Sequence, residues 1–406
     1  MNGHEYKYDD VEGFRTGEFR LKNGKKIQTP VFWLGYLFNG IKPWEQISEK
    51  ENDFQIDNIL INAYEIIKKE KMRKGIENEG LRGYLNFKGN ILMDSGGFLF
   101  QKKQVMDIEP ETISELYDRL KPDMAVILDH PFSPREDKET NKNRWKKTLE
   151  NTRIMMETGT DNGTTLLMPV IHGYSRKELD VAFEEVRKIS EPEVIGLGSM
   201  VPLFRFFNAF SMINAKERPY LVIDLIRRVR EAFPDAFLHV FGVGGTTTMH
   251  LLYSLGVDSI DSVAWRLKAA YGAIQLPGVG DRFVVSKNRK KGRVQLDDNK
   301  KDVELLGQCK CPICKEKEIK ERLDALDNTK AKTFEKRAIH NAWTYLYESK
   351  AIQKEIKEGD PHEFTDKRLE KSLFRKFFEY SKKPFKYRYD QTAPLTSFNP
   401  EIRYLG

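Results

Sequence analysis

Short apolar runs alternate with amphipathic stretches between about residue 29 and residue 285. Seven runs predict buried strands: TPVFWLG (29–35), NILMDSGGF (90–98), DMAVILD (123–129), TTLLMPVIHG (164–173), VIGLGS (194–199), AFLHVFGVGG (236–245) and GVDSIDSVA (256–264). Helical patterns such as RKELDVAFEEVRKI (176–189) and AKERPYLVIDLIRRVREAF (215–233) lie between them. Apolar strands that alternate with helices indicate a parallel sheet. About eight such units favour an α/β fold, a (β/α)8 TIM barrel, over an open sheet.

Polar residues and glycines follow nearly every apolar run. They are Asp94-Ser95-Gly96-Gly97, Asp129-His130, His172-Gly173, Gly198-Ser199, Gly242-Val243-Gly244-Gly245 and Asp261. Barrel enzymes carry their chemistry at the C-terminal ends of the strands, so these positions predict the rim of an active site. A single aspartate at a strand end is also a common N-cap of the next helix, and this structural alternative stays open for each of the three.

Composition narrows the class of protein. Of 406 residues, 39% are hydrophobic and 32% are charged, which is enough to bury a core and excludes whole-chain disorder. No apolar run approaches the roughly 18–20 residues of a membrane span, and the N-terminus lacks a signal-peptide core. Three cysteines exclude a disulfide scaffold and indicate a reducing compartment. We therefore expect a cytoplasmic protein without a membrane partner.

The positive charge is concentrated in the last third of the chain. Residues 281–406 hold 30 basic and 21 acidic side chains, whereas residues 1–280 hold 38 and 40. The basic loop SKNRKKGR (286–293) and a Lys- and aromatic-rich, helical stretch (331–383) belong to this region. Clustered cations favour a polyanionic partner, although a solvated lysine-rich surface gives the same count.

Three cysteines and one histidine have the spacing of a metal site. Cys309, Cys311 and Cys314 lie within six residues, and His340 follows 26 residues later in a helical pattern. Three thiolates and one imidazole form the closed tetrahedral shell of structural Zn²⁺, which leaves no position for substrate. The alternatives are a redox pair and incidental thiols. The sequence therefore predicts three regions: a catalytic barrel (1–285), a zinc-binding subdomain (286–345) and a basic, aromatic-rich C-terminal tail (346–406).

Two separated carboxylates at one barrel mouth can divide the work of catalysis, one as nucleophile and the other as general acid/base, as in retaining glycosidic chemistry. Three of them beside glycine-rich loops favour a catalytic site over helix caps. The run Gly242-Val243-Gly244-Gly245 lacks the spacing of a phosphate loop, which argues against a nucleotide cofactor. His130 and His172 follow strands and are candidates for substrate contact. His4, His239, His250 and His362 are more simply structural or exposed.

Taken together, DSGGF (94–98), FGVGG (241–245), the nucleophile segment GVDSIDSV with Arg266, and the cysteine–histidine pattern (309–340) resemble the guanine transglycosylase family over residues 20–345. Members are barrel enzymes that exchange guanine in a nucleic acid for a 7-deazaguanine base. The resemblance implies that Asp261 is the nucleophile, Asp94 the general acid/base and Asp129 the acceptor for the guanine edge. It also implies a base pocket formed by Ser95, Gly96, Phe98, His172, Gly198, Ser199 and Gly242, with Arg266 beside the nucleic acid.

Departures from the pattern of transfer-RNA members favour the DNA-modifying branch. Val170-Ile171-His172-Gly173 stands where a Gln-Gly-Gly turn is usual, and Val263-Ala264-Trp265-Arg266 replaces Leu-Pro-Thr-Arg in a loop expected near the nucleic-acid backbone. The resemblance therefore implies insertion of 7-cyano-7-deazaguanine (preQ0), or a relative, into DNA in a bacterial host or phage-infected cell. The alternative is an atypical tRNA-guanine transglycosylase, and a third reading is a non-catalytic binding subunit. A helper ATPase and a homodimer are both left open.

A grip on the nucleic acid is expected from the basic loop (286–293) and the tail. In the tail, cations alternate with aromatic rings on which bases stack: Lys382, Lys383, Lys386 and Arg388 among Tyr380, Phe385, Tyr387 and Tyr389. The alternative is that these rings pack the tail onto the barrel. A base held in a duplex has to be flipped out, or the DNA has to be unpaired, before it reaches a barrel mouth.

Overall fold

A computed structural model describes residues 4–38, 40–48, 54–99, 108–134, 136–160, 163–204, 218–285, 293–327 and 331–384, with the backbone alone for 331–333. Within these ranges no helix combines the length and the apolar character needed to cross a membrane. Most of the predicted basic loop (286–292) and the tail residues from 385 onward lie outside the described residues.

The first three strands along the chain form an antiparallel sheet. Its strands are β1 (Glu5–Val11), β2 (Phe14–Arg20) and β3 (Lys26–Thr29). Tyr6 packs edge-on against Phe237, and its hydroxyl donates to Asp258 Oδ1 at 2.5 Å. Both partners lie where barrel strands begin, so this sheet covers the floor of the barrel. Arg15 and Arg230 also pair with Asp258, the latter at 2.7 Å.

Nine parallel strands form the central barrel in the part of the chain that the structure describes. They occupy eight strand positions, because two of them share one. The strands are β4 (Val31–Gly35), β5 (Asn58–Asn62), β6 (Asn90–Asp94), β7 (Met124–Val126), β8 (Leu166–Met168), β9 (Val170–Ile171), β10 (Val194–Leu197), β11 (Phe237–Val240) and β12 (Ser259–Ser262). They pair in the order β8-β7-β6-β5-β4-β12-β11-β10-β9. Strand β5 was not among the predicted runs, because its three apolar residues stand between two asparagines.

The barrel closes at one strand that Pro169 divides into β8 and β9. β8 pairs with β7 and β9 with β10, so the two ends of the ladder are consecutive in sequence. Proline has no N–H to donate, but its carbonyl still accepts from Gly196 N at 2.9 Å. The predicted (β/α)8 barrel is confirmed, with β8 and β9 together filling one strand position.

Helices follow most of the barrel strands. They are α1 (Ala63–Lys68), α2 (Glu70–Leu85), α3 (Pro110–Leu120), α4 (Lys138–Thr158), α5 (Arg176–Arg187), α6 (Val201–Phe204), α7 (Arg218–Ala232), α8 (Thr248–Tyr253) and α9 (Ala264–Ala270). Polar side chains start several of them: Ser175 accepts from Glu178 N ahead of α5, and Asp137 accepts from Thr140 N ahead of α4. Such N-caps satisfy backbone donors that have no partner inside the helix.

A hairpin and a helical region follow the barrel. The hairpin is β13 (Ala273–Leu276) and β14 (Val279–Phe283), and the helices are α10 (Lys300–Gly307), α11 (Ile319–Asp327), α12 (Ala331–Glu358), α13 (Pro361–Leu369) and α14 (Arg375–Ser381). Short 3-10 helices occur at Pro43–Glu45 and Leu296–Asp298. The predicted helical C-terminal region is confirmed. Helix α12 runs unbroken past residue 345, and the division into three regions stays a prediction.

The described part of the tail packs onto the barrel helices. The Tyr380 hydroxyl donates to the Asp224 carboxylate at 2.9 Å, and its ring meets Tyr220 edge-on at 4.9 Å. Lys382 lies over the Phe378 ring and pairs with Glu379. Tyr380 is thus a packing residue rather than a platform for a base. Of the predicted grip, residues 286–292 of the basic loop and Phe385, Lys386, Tyr387, Arg388 and Tyr389 of the tail lie outside the described residues.

Helix α12 is held against the barrel by a buried charge. Glu348 is fully buried, and its Oε2 lies 2.8 Å from His250 Nε2 on α8. Gly278 N donates to the same oxygen at 3.2 Å, while Arg368 approaches Oε1 at 3.3 Å. One carboxylate therefore joins α8, the hairpin turn, α12 and α13.

We expect Glu348→Ala to lower the free energy of unfolding by about 3 kcal/mol, because Arg368 is left without its buried counter-charge. The measurement is the urea midpoint, compared with Glu358→Ala at the exposed end of the same helix. Equal midpoints for the two variants would contradict this role.

Candidate active site and metal cluster

Three carboxylates lie at the C-terminal ends of barrel strands. Asp94 ends β6, Asp129 follows β7, and Asp261 lies in β12. Asp129 and Asp261 are buried, and Asp94 is half-buried. Helix α4 is capped by Asp137, and α9 starts after Val263, so neither Asp129 nor Asp261 is the N-cap of its following helix.

The ionised form of Asp94 is disfavoured at this end of the barrel. Burial raises the pKa of Asp94 from 3.8 to about 8, and the neighbouring charges of Asp129 and Asp261 act in the same direction. Backbone N–H groups of Gly96 and Ser95 oppose the rise. A carboxyl with such a pKa holds a proton at neutral pH, which a general acid requires.

Asn62 orients the Asp94 carboxyl. Its Nδ2 donates to Asp94 Oδ2 at 2.6 Å, while its Oδ1 accepts from Tyr64 N and caps α1. Gly96 has a φ of +90°, and a Cβ there would lie 2.7 Å from Asn62 Oδ1. The turn after β6 therefore requires glycine at this position.

Asp129 is bracketed by residues from the turn after β6 and from the strand on its other side. Ser95 Oγ donates to Asp129 Oδ1 at 3.3 Å, and His172 Nε2 lies 3.0 Å from Oδ2. A Cβ on Gly97 would stand 2.0 Å from the Asp129 carbonyl oxygen. No side chain fits between these two segments, and the carboxylate stays fixed beside Asp94.

His172 is buried between Asp129 and Ser199, so its ring is not an exposed contact for substrate. Its Nδ1 lies 3.1 Å from Ser199 Oγ, which also accepts from Phe132 N at 2.8 Å. A Cβ on Gly198 would lie 2.4 Å from the imidazole Cε1, so glycine makes room for the ring. The predicted pocket residues His172, Gly198 and Ser199 thus lie together, next to Asp129.

Asp261 is held by the glycine-rich turn after β11. Gly242 N donates to Asp261 Oδ1 at 2.6 Å, and Gly244 N donates to the Asp261 carbonyl at 3.0 Å. Gly242 adopts a φ of +72°, which favours glycine. His239, from within β11, places Nε2 3.3 Å from Oδ1. These contacts fix the Asp261 carboxylate against the turn after β11.

Phe98 and Arg266 lie at the edge of this arrangement. The Phe98 side chain is 59% exposed. The Arg266 guanidinium lies over the Phe334 ring at 5.0 Å, and burial lowers its pKa against the opposing charge of Glu65. Trp265 is fully buried, and its indole donates to the Gly35 carbonyl at 2.8 Å. Contrary to the expectation for its loop, Trp265 is a core residue.

Two residues of the mouth were missed from the sequence. Asn62 ends β5, the strand that the apolar pattern did not predict, so its position at a strand end was hidden. His239 was grouped with structural or exposed histidines, and it is indeed buried, but it faces the carboxylate of Asp261. Its only sequence signal is its position two residues before the end of an apolar run.

The four predicted metal ligands converge. Cys309, Cys311, Cys314 and His340 are buried, and their ligand atoms all lie within 4.8 Å of one another. The three Sγ atoms stand 3.4–3.6 Å from His340 Nδ1. A tetrahedral zinc ion, with bonds of about 2.3 Å to sulfur and about 2.0 Å to nitrogen, sets these atoms roughly 3.5 Å apart. The cluster fits a metal such as zinc.

The far side of the His340 ring supports this assignment. Nε2 lies 2.9 Å from the Gln275 carbonyl in β13, to which only a protonated nitrogen donates. The ring proton is therefore on Nε2, and Nδ1 is left with a lone pair for a metal. Asn341, the next residue, accepts from Gln275 N at 2.8 Å and fixes the same strand.

Comparison with known proteins places the chain in a family. A family model described as queuine tRNA-ribosyltransferase matches residues 10–373. The chain belongs to this family. The guanine transglycosylase resemblance is thereby confirmed, whereas closeness to a DNA-modifying branch is not shown.

Curated relatives of the chain are archaeal members of the queuine tRNA-ribosyltransferase family. The tRNA-guanine(15) transglycosylase of Methanococcus aeolicus is 28% identical over 386 residues, 93% of this chain and 54% of the relative. That of Pyrococcus furiosus is 26% identical over 375 residues (90% and 56%), and that of Nanoarchaeum equitans 32% over 280 residues (67% and 61%). The chain spans little more than half the length of the relatives that it matches.

We expect Asp94→Asn to stabilise the fold in a pH-dependent way. The unfolded chain releases the Asp94 proton near pH 3.8 and the folded chain near pH 8, so wild type loses stability between these values. The variant has no proton to lose. Its melting temperature should exceed that of wild type by a margin that grows from pH 4 to pH 8. Asp324→Asn, on the exposed face of α11, is the matched control; a margin that does not change with pH contradicts the assignment.

We expect His340→Gln to abolish metal binding and to lower thermal stability, because a four-ligand structural site contributes its binding free energy to folding. Zinc released on denaturation should amount to about one ion per wild-type chain and far less per variant chain. His4→Gln makes the same change away from the cluster and should retain the ion. A metal-free wild-type chain with an unchanged melting temperature in chelator would exclude a structural metal.

Proposed function

We propose that the chain is a guanine transglycosylase, an enzyme that exchanges guanine in a nucleic acid for another base through a covalent glycosyl intermediate. The observation that carries the proposal is the division among the mouth carboxylates. Asp94 has a pKa raised to about 8, while Asp261 receives a backbone N–H on one oxygen. A protonated acid and a hydrogen-bonded carboxylate at one mouth are the two groups that a retaining glycosyl transfer uses.

The first displacement is assigned to Asp261 and Asp94. A carboxylate oxygen of Asp261 bonds to C1′ of the target nucleoside as the C1′–N9 bond breaks, and its electron pair leaves on guanine. Asp94 gives its proton to the departing guanine. Positive charge that develops on the sugar is stabilised by the carboxylate that attacks it.

The second displacement reverses the first. Asp94, now ionised, takes the N9 proton of the incoming base, whose nitrogen bonds to C1′ as the bond to Asp261 breaks. Two inversions restore the original anomer. The two displacements balance without a redox or nucleotide cofactor. Zinc in the cluster would hold α12 to the loop at 309–314, without contact with the reacting atoms.

Asp129 is proposed to select the base. Its carboxylate is fixed by Ser95 and His172 in the same mouth and accepts hydrogen bonds from the N1–H and 2-amino edge of a guanine-like ring. A buried acceptor discriminates strongly, because a base without the matching donors leaves it unpaired. The incoming base is proposed to be a 7-deazaguanine such as preQ0, which shares this edge.

For the polynucleotide, transfer RNA is the better-supported candidate. The relatives named above are tRNA-guanine(15) transglycosylases, which favours the tRNA alternative over the DNA exchange predicted first. One departure that had favoured DNA is explained otherwise, since Trp265 fills the core. DNA remains the other substrate to be tested.

The deciding experiment offers labelled guanine, and in parallel labelled preQ0, to the purified chain with unmodified tRNA, duplex DNA or single-stranded DNA. We expect label in tRNA from wild type and from the surface control Asp324→Asn, and none from Asp261→Asn, which lacks the nucleophile. Asp261→Asn should still bind the polynucleotide in a filter-retention assay.

Label in DNA alone would refute the tRNA proposal and establish the DNA exchange. Absence of label from every polymer, with retained binding, would refute the enzyme and leave a binding subunit. Exchange that survives in Asp261→Asn would refute the assignment of the nucleophile.

A further inference from the structure

A buried chain of polar side chains inside the barrel ends at Asp261. Trp33, on β4, places its indole Nε1 2.7 Å from Ser259 Oγ, and Ser259 Oγ lies 2.7 Å from His239 Nδ1. The imidazole Nε2 then lies 3.3 Å from Asp261 Oδ1. Register explains the grouping, because His239 pairs with Ser259 across β11 and β12 and Trp33 pairs with Asp261 across β4 and β12.

The hydrogen bonds that run from Trp33 to Asp261 can donate in one direction only. An indole N–H is solely a donor, so the Ser259 oxygen accepts from Trp33. Ser259 and His239 are both fully buried, and the serine proton has the lone pair of His239 Nδ1 within reach. The imidazole proton is then on Nε2. The opposite tautomer would aim a lone pair at the carboxylate of Asp261.

The Nε2–H of His239 has no in-line partner. It is buried and points past Asp261 Oδ1 at 3.3 Å rather than straight at it. Leaving a buried donor without an acceptor is unfavourable, so a small movement that aligns His239 with Asp261 is favoured. Hydrogen bonds at catalytic groups are often poorly aligned without substrate and tighten when it binds.

We propose that His239 is a positioning residue for the nucleophile: a neutral imidazole, fixed by Ser259 with its proton on Nε2, that holds Oδ1 of Asp261. The inference rests on the proposed function in taking Asp261 as the nucleophile. Gly242 N already donates to Oδ1, so both protein donors engage one oxygen. Oδ2 is then the atom that bonds to C1′, and the carboxylate is presented to the sugar in one orientation.

The tautomer is measured directly, without substrate. Protein labelled with ¹⁵N in its histidine rings gives two-bond ¹H–¹⁵N correlations at pH 7, and the His239 signal is the one absent from His239→Gln. We expect the neutral Nε2–H pattern in wild type and a mixture of tautomers in Ser259→Ala. His172, whose Nδ1 faces Ser199 instead, is the internal control and should not change.

A charged His239 ring or an Nδ1–H tautomer in wild type would overturn the proposal. So would a Ser259→Ala spectrum in which the His239 pattern is that of wild type.

A second measurement separates positioning from packing. His239→Gln keeps a side-chain N–H of similar reach, whereas His239→Leu keeps only bulk. In single-turnover experiments we expect the covalent intermediate to form about 10- to 100-fold more slowly in the Leu variant, the effect of losing a hydrogen bond to a charged group. The Gln variant should recover most of the rate, with the KM for the incoming base unchanged in both.

Equal rates for the Gln and Leu variants would overturn the positioning role. Failure of the proposed function is distinguishable from this outcome, because it appears as absence of exchange in wild type, while the tautomer measurement needs no turnover.

Discussion

Closure of the barrel is the constraint on which the rest of the molecule depends. Since all eight strand positions end on one rim, backbone pairing alone brings Asp94, Asp129 and Asp261 into a shared buried mouth. Carboxylates placed together repel, and burial penalises each charge. Asp94 bears most of this penalty. Burial and the charges of Asp129 and Asp261 raise its pKa to about 8, even though Asn62 Nδ2 and the backbone N–H groups of Ser95 and Gly96 donate to its carboxylate.

The two ends of the barrel differ in whether their carboxylates pair with arginine. At the floor, one carboxylate, Asp258, is paired with Arg15 and Arg230 and accepts from Tyr6. At the mouth, among the described residues, no lysine or arginine pairs with any of the three aspartates. A buried charge without an opposite charge opposes folding, and such charges are typical of functional sites. The apolar core therefore has to offset the free energy that the three aspartates at the mouth cost.

The sequence was informative wherever a local pattern decides the structure. Apolar runs located seven of the eight strand positions, their C-terminal ends located the three aspartates, and the spacing of Cys309, Cys311 and Cys314 from His340 located the cluster. It failed where register or side-chain direction decides. The role of His239 depends on its pairing opposite Ser259, and that of Asn62 depends on β5, whose flanking asparagines concealed it. The inward direction of Trp265 was likewise missed, because its segment was interpreted as a loop, whereas it forms the first turn of α9.

Helix α12 connects parts of the molecule that are far apart in sequence. Along its length it contributes His340 to the metal cluster, Asn341 to the carbonyl of Trp265 beside the mouth, and Glu348 to α8. Gln353, 13 residues beyond His340 on the same helix, donates to the Pro30 carbonyl at the floor. Helix α12 thus contacts both ends of the barrel. The metal cluster is therefore joined to the barrel by direct contacts of this one helix, at the mouth through Asn341 and at the floor through Gln353.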